Sequence, residues 1–264
     1  MATHRPTASR VSLTPLQWAV QIFGELLITL GCVLILFVAW QLWWTNIAAN
    51  SAQKDAVQSL VQEFDATPEA DAVEETHQAQ GAENAPSSET YDPLTPPITQ
   101  APAYGEVYGV VYIPRLGEGY ARPLAEGVGA DVLDTLGLGR YPGTQLPGEY
   151  GNLALAGHRQ TNGAVLDHID ELQTGDAIYV RTAQGYYTYR VYESTIVLPH
   201  QVEVIAPNPD APHAPVSEAH RRLLTLTSCH PRYGDTERYI VHAEFVGWQP
   251  NQAGAPEEIA HISL

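Results

Sequence analysis

The run Leu26–Trp44 carries no charged side chain, and only Thr29 and Gln41 interrupt its apolar residues. Its length is close to the ~20 residues a helix needs to cross a bilayer, where each backbone polar group must be bonded inside the segment. Trp18 precedes the run and Trp40, Trp43 and Trp44 close it, an aromatic belt at each interface. As a helix at ~1.5 Å per residue, Trp18 to Trp43 covers roughly 38 Å. Arg5 and Arg10 lie before the span, against Lys54 shortly after it, so the N-terminus is expected on the cytoplasmic side. Ala48, Ala49, Ser51 and Ala52 offer the small residues of a leader cleavage site. Cleaved leaders, however, have only ~7–15 apolar residues. The expected plan is a cytoplasmic segment over 1–22, an uncleaved single-pass anchor in the cell membrane over 23–45, and an extracellular remainder.

From Asn46 to Tyr104 Ala, Glu, Gln, Pro and Ser dominate, with ten acids against one lysine. Val57, Leu60, Val61 and Phe64 recur at helical spacing, which predicts one or two amphipathic turns. Beyond Ala66 there is too little apolar surface to offset the entropy of ordering, so a disordered, self-repelling linker is expected over 46–104. A chain begun near Ala101 should then fold and act on its own. The whole chain has net charge -17, which argues against nucleic-acid partners. Of its two cysteines, Cys32 lies in the apolar run, so Cys229 is left as a free thiol.

Residues 105–248 read as a compact domain and 249–264 as a polar tail. Glu106–Pro114, Asn152–Ala156, Ala177–Thr182 and Tyr186–Leu198 are β-rich runs separated by Gly/Pro turns. Asp131–Leu138 is expected as a short helix stopped at Gly139, and Leu166, Ile169 and Leu172 as one more helical turn. Many short strands with little helix point to an all-β, closed or partly closed barrel.

The chemistry concentrates in Leu223–Cys229, where Leu224, Leu226 and Ser228 alternate with Thr225, Thr227 and Cys229, the period of a strand. Arg238–Phe245 reads as a second strand. In an antiparallel hairpin Cys229 and Arg238 meet, a thiol beside a fixed positive charge that favours the thiolate. These residues, with Gly157-His158-Arg159 at the end of the Asn152–Ala156 strand, resemble the sortase family, cysteine transpeptidases of the Gram-positive cell surface. Most sortases carry Thr where this chain has Ser228; the hydroxyl is retained. Gly151–Arg159 and Cys229-His230-Pro231-Arg232-Tyr233 look most like class E sortases of actinobacteria.

The resemblance implies an eight-stranded barrel that needs no cofactor, with no metal site expected. It implies Cys229 as nucleophile, His158 as proton carrier and Arg238 as hydrogen-bond donor to the oxyanion. The Thr227 and Ser228 hydroxyls are candidates to hold the substrate backbone. Tyr112 is a candidate to narrow the pocket for the second signal residue. His230, His242 and Arg232 are rivals for the site roles. The implied partners are secreted proteins with a C-terminal Leu-Ala-x-Thr-Gly or Leu-Pro-x-Thr-Gly sorting signal, cut between Thr and Gly. A lipid-linked peptidoglycan precursor amine is the implied acceptor. A pilin-polymerising sortase and a non-catalytic surface-binding barrel are the alternatives. Tyr91-Asp92-Pro93-Leu94 partly matches the Asp-Pro-aromatic lid of pilus-building sortases.

Overall fold

The computed structural model describes residues 14–66 and 91–262. Residues 1–13 of the expected cytoplasmic segment 1–22, residues 67–90 of the expected linker 46–104, and the last two residues of the expected tail lie outside them. Helix α1 (Pro15–Ala66) contains one stretch, Pro15–Val38, long and apolar enough to cross a bilayer, with mean hydropathy 2.2. The stretch overlaps the expected anchor over 23–45.

Eight strands close into a barrel: β1 (Val107–Tyr112), β2 (Ala121–Glu126), β3 (Leu138–Arg140), β4 (Gly151–Ala156), β5 (Ala177–Arg181), β6 (Gly185–Val197), β7 (Arg222–His230) and β8 (Glu237–Pro250). Around the barrel the order is β1-β2-β3-β4-β7-β8-β6-β5, with β5 returning to β1. The β2–β3 and β4–β7 pairs are parallel and the others antiparallel. Helix α2 (Ala130–Leu136) makes the β2–β3 crossover and ends at Gly137. The helix expected through Leu138 therefore stops earlier, because Leu138-Gly139-Arg140 is needed as a strand beside β2. A buried ion pair, Arg140 Nε to Glu126 Oε2 at 2.6 Å, fastens that pairing. Strand β2 itself had no clear sequence signal, since Pro123 stands in its middle.

Alternation along each strand sorts the side chains. Val111, Leu153, Leu155, Leu224, Leu226, Val241 and Ala243 fill the barrel interior. Val110, Tyr112, Ala177, Tyr179 and Tyr186 form a second cluster on the outer face, covered by Val57, Leu60 and Phe64 of α1 and by Ile259. The residues of α1 beyond Trp44 are thus part of the folded unit. Ala49, Gln53, Val57, Leu60 and Phe64 are its buried positions, spaced at one helical face. Part of the span read as linker is packed structure, and so is part of the expected polar tail.

Residues 91–104 also lie on the barrel. Trp248 donates its backbone N–H to Pro93 O at 2.8 Å, Tyr187 its hydroxyl to Pro97 O at 2.7 Å, and Arg222 Nη1 donates to Leu94 O at 2.6 Å. Asp92 closes its own turn by accepting from Leu94 N and Thr95 Oγ1. Arg222 opens β7 and Cys229 nearly ends it, roughly 23 Å away at ~3.3 Å per residue. The Asp92-Pro93 segment is therefore docked at the far end of β7, and a lid over Cys229 is not what it forms.

Candidate active site

Strands β7 and β8 pair with Thr225 opposite His242, Thr227 opposite Ile240 and Cys229 opposite Arg238. The hairpin expected from the sequence has the expected register. Leu224 and Leu226 point into the core, so Thr225, Thr227 and Cys229 share the outer face. On the other flank β4 runs parallel, with Ala154 opposite Thr225 and Ala156 opposite Thr227. Gly157 N continues that ladder by donating to Thr227 O at 3.2 Å, which brings His158 level with Cys229. A Cβ at Gly157 would lie within 3.0 Å of Val165, Leu138 and Leu166 side-chain atoms. Only glycine lets the chain leave β4 so close to the core. Cys229, His158 and Arg238 are therefore brought together on three adjacent strand ends.

His158 has a partner the sequence did not reveal. Its Nε2 lies 2.6 Å from Asp134 Oδ1, a carboxylate on α2. An ionised carboxylate only accepts, so Nε2 carries the proton and Nδ1 is the nitrogen left to exchange one. The rival His230 is differently tied. Arg159 Nη1 donates to its Nδ1 at 3.0 Å and to Cys229 O at 3.3 Å. Because guanidinium cannot accept, His230 Nδ1 must be the acceptor. His230 also follows Cys229 on β7 and so faces the opposite side. Arg159 is only 2% exposed. It pairs with Asp170 at 2.9 Å, donates to Asp167 O and lies over the Tyr239 ring. It is a buried support for the backbone of Cys229, a role the sequence reading did not give it.

Arg232 is held by a two-point ion pair with Asp167, Nε to Oδ1 at 2.7 Å and Nη2 to Oδ2 at 2.5 Å. Arg238 instead donates Nη1 to the carbonyls of Asp235 and Glu237, both at 2.8 Å. Such bonds orient the guanidinium without neutralising it.

The three expected substrate-binding residues divide. Thr227 lies on the Cys229 face, its Oγ1 3.0 Å from Tyr141 OH. Ser228 does not: it faces inward, is 3% exposed, and donates its hydroxyl to Gly157 O at 2.8 Å. It ties β7 to the chain leaving β4 rather than facing the Cys229 side. Tyr112 is not brought to the site either. It sits on β1, four strands from β7 around the barrel, under α1, where burial pushes its phenol up to about 12. Among the described residues no cluster of three His, Cys, Asp or Glu side chains stands ready for a metal.

Further along the same face, Asn152 Nδ2 donates to Val204 O and Ala206 O. Its Oδ1 accepts from Thr225 Oγ1 at 2.8 Å, which uses the only hydroxyl proton. His242 Nδ1, 2.9 Å from Thr225 Oγ1, is therefore the donor. This network locks the segment after β6 onto β4, β7 and β8. Burial holds His242 below the ordinary histidine value of 6.5, against the opposing pull of Glu193 and Asp210, while Arg221 adds to the lowering. The unfolded chain then takes up the proton first. Stability contributed by neutral His242 is full above the ordinary value and is lost as pH falls through it towards the folded-state value. The denaturant midpoint at about pH 5.5 should lie below that at about pH 7.5, and His242→Gln should shrink the difference.

A family model of the sortase domain matches residues 111–246, which contain all three of Cys229, His158 and Arg238. Sortase SrtE2 of Streptomyces coelicolor is 31% identical over 86% of this chain and 82% of its own length. Sortase SrtE1 of the same organism is 29% identical over 89% of this chain, which spans 60% of the relative's length. Among solved structures, the SrtA sortase from Actinomyces oris is similar at 42% identity with a TM-score of 0.58, covering 62% of this chain and 92% of that one. With its closed barrel, its matched domain and its SrtE relatives, the chain belongs to the sortase family and is most like the class E sortases.

Proposed function

We propose that the chain is a membrane-anchored transpeptidase that cuts a C-terminal sorting signal between Thr and Gly and passes the acyl group to an amine. The observation that supports this reading is the Cys229–Arg238 cross-strand pair, with Gly157 N donating to Thr227 O and so carrying the β4–β7 ladder up to the residue before His158. Cys229 passes its proton to His158 Nδ1, the thiolate attacks the Thr carbonyl, and Arg238 donates to the oxygen as negative charge develops there. The C–N bond breaks while His158 gives its Nδ1 proton to the leaving glycine amine, leaving a thioester. The incoming amine attacks that thioester, His158 takes back the proton, and Cys229 leaves as thiolate. The acceptor in this reading is a peptidoglycan-precursor amine, and the domain stands outside the cell with the N-terminus inside. Thr227 and Tyr141, on the same face as Cys229, border the path of the signal peptide.

The test is to incubate the chain with Leu-Ala-x-Thr-Gly and Leu-Pro-x-Thr-Gly peptides and a series of amines. A mass increase on Cys229 equal to the peptide up to Thr, discharged by amine, is the expected result, with the Ala peptide favoured. Failure to acylate Cys229 with either peptide would remove the reading and leave a binding barrel.

A further inference from the structure

The turn that follows His158 is held by residues remote from it in sequence. Asn162, Gly163 and Ala164 all have positive φ, at 52°, 91° and 47°. Glycine adopts that region freely, asparagine tolerates it and alanine resists it. Backbone of this kind persists where its surroundings over-determine it. The turn is closed at its base by Leu166 N donating to His158 O at 2.9 Å, so its shape bears directly on the His158 peptide.

Much of that surrounding comes from α1. Asn46 Oδ1 accepts from Gly163 N at 2.9 Å, and its Nδ2 reaches Gln160 O at 3.4 Å. Gln53, 1% exposed, donates Nε2 to Asn162 O at 3.1 Å. Its Oε1 and Asn50 Oδ1 both accept from Arg122 Nη1. Positions 46, 50 and 53 lie on one helical face. The fit is close: a Cβ at Gly163 would come 2.7 Å from Gln53 Nε2. A buried amide is a costly way to dock a helix unless its bonds are needed.

We propose that Asn46 and Gln53 are positioning residues for His158: by gripping the 160–164 turn they fix the histidine opposite Cys229. The helix segment beyond the span is then a working part of the site. This inference rests on His158 being the proton carrier.

The test uses the full chain in detergent or lipid discs. Asn46→Ala removes both of that residue's bonds to the turn. Gln53→Glu keeps an acceptor for Arg122 and loses the donor to Asn162 O. Asn50→Ala, which touches Arg122 alone, is the control for helix docking. We expect kcat to fall about tenfold in Asn46→Ala and Gln53→Glu, a scale typical of small misplacements at a site. KM for the signal peptide should stay within about twofold, and Asn50→Ala should resemble the parent. The Gly163 amide should also exchange hydrogen faster in Asn46→Ala. Unchanged kcat in both variants, or losses that track only the unfolded fraction in thermal melts, would overturn the proposal. His158→Ala retaining full activity would instead overturn the reading on which it rests.

Discussion

His158→Ala should lower kcat/KM by about 10²–10⁴, the usual worth of a positioned acid–base group, while His230→Ala costs about tenfold or less. The difference follows from their ties. His158 stands level with Cys229 and keeps Nδ1 for exchange, because Asp134 engages Nε2. His230 Nδ1 is occupied by Arg159. Cys229→Ala should form no thioester at all, and Arg238→Lys should fold normally yet lose much of the rate, since lysine lacks the planar fork. Asp134→Asn should cause a smaller loss than His158→Ala, because it removes only the orienting charge. Single-turnover acylation followed by mass spectrometry separates these outcomes. An inactive His230→Ala beside an active His158→Ala would reverse the assignment of the proton carrier.

A chain begun at Ala101 should be much less stable than one begun at Thr45, contrary to the expectation from composition. The shorter chain lacks Val57, Leu60 and Phe64, which are 2%, 9% and 8% exposed, and it uncovers the Tyr112, Tyr179 and Tyr186 face. At about 1.5–3 kcal/mol for each large apolar side chain buried, the loss is on the order of several kcal/mol. Against a total stability of about 5–15 kcal/mol that is a large share. The Arg181–Asp65 and Arg122–Asn50 contacts go with it. Denaturant unfolding of the two chains measures the difference directly. Equal midpoints would mean that the helix only rests on the barrel.

The hairpin that carries Cys229 and Arg238 was legible because everything that defines it is local: two alternating strands, a short turn between them and a charge at the start of the second. His158 was legible because a buried β4 ends in a glycine that leads straight into it. Asp134 was not, since an acid in a short helix carries no mark of the histidine it will meet 24 residues later. Ser228 was misjudged although the signal was present: it shares parity with Leu224 and Leu226, and inward-facing positions do not line a groove. Tyr112 was harder. In a barrel covered on its outer face, both parities are apolar, so Val110, Val111 and Tyr112 are all buried and alternation says nothing about which side faces what. The α1 contacts failed for another reason. Asn46, Asn50 and Gln53 look like solvated polar residues in an acidic spacer, and only the tertiary fold turns them inward.

Asn152 has an implication for how such a barrel diversifies. It grips the connection between β6 and β7 through two main-chain carbonyls, those of Val204 and Ala206, and main-chain carbonyls are the same whatever side chains the residues carry. The seat of that connection is thus indifferent to its sequence. Mutation can rewrite the side chains of the connection while leaving the anchoring bonds intact, so its surface can drift without the fold being renegotiated.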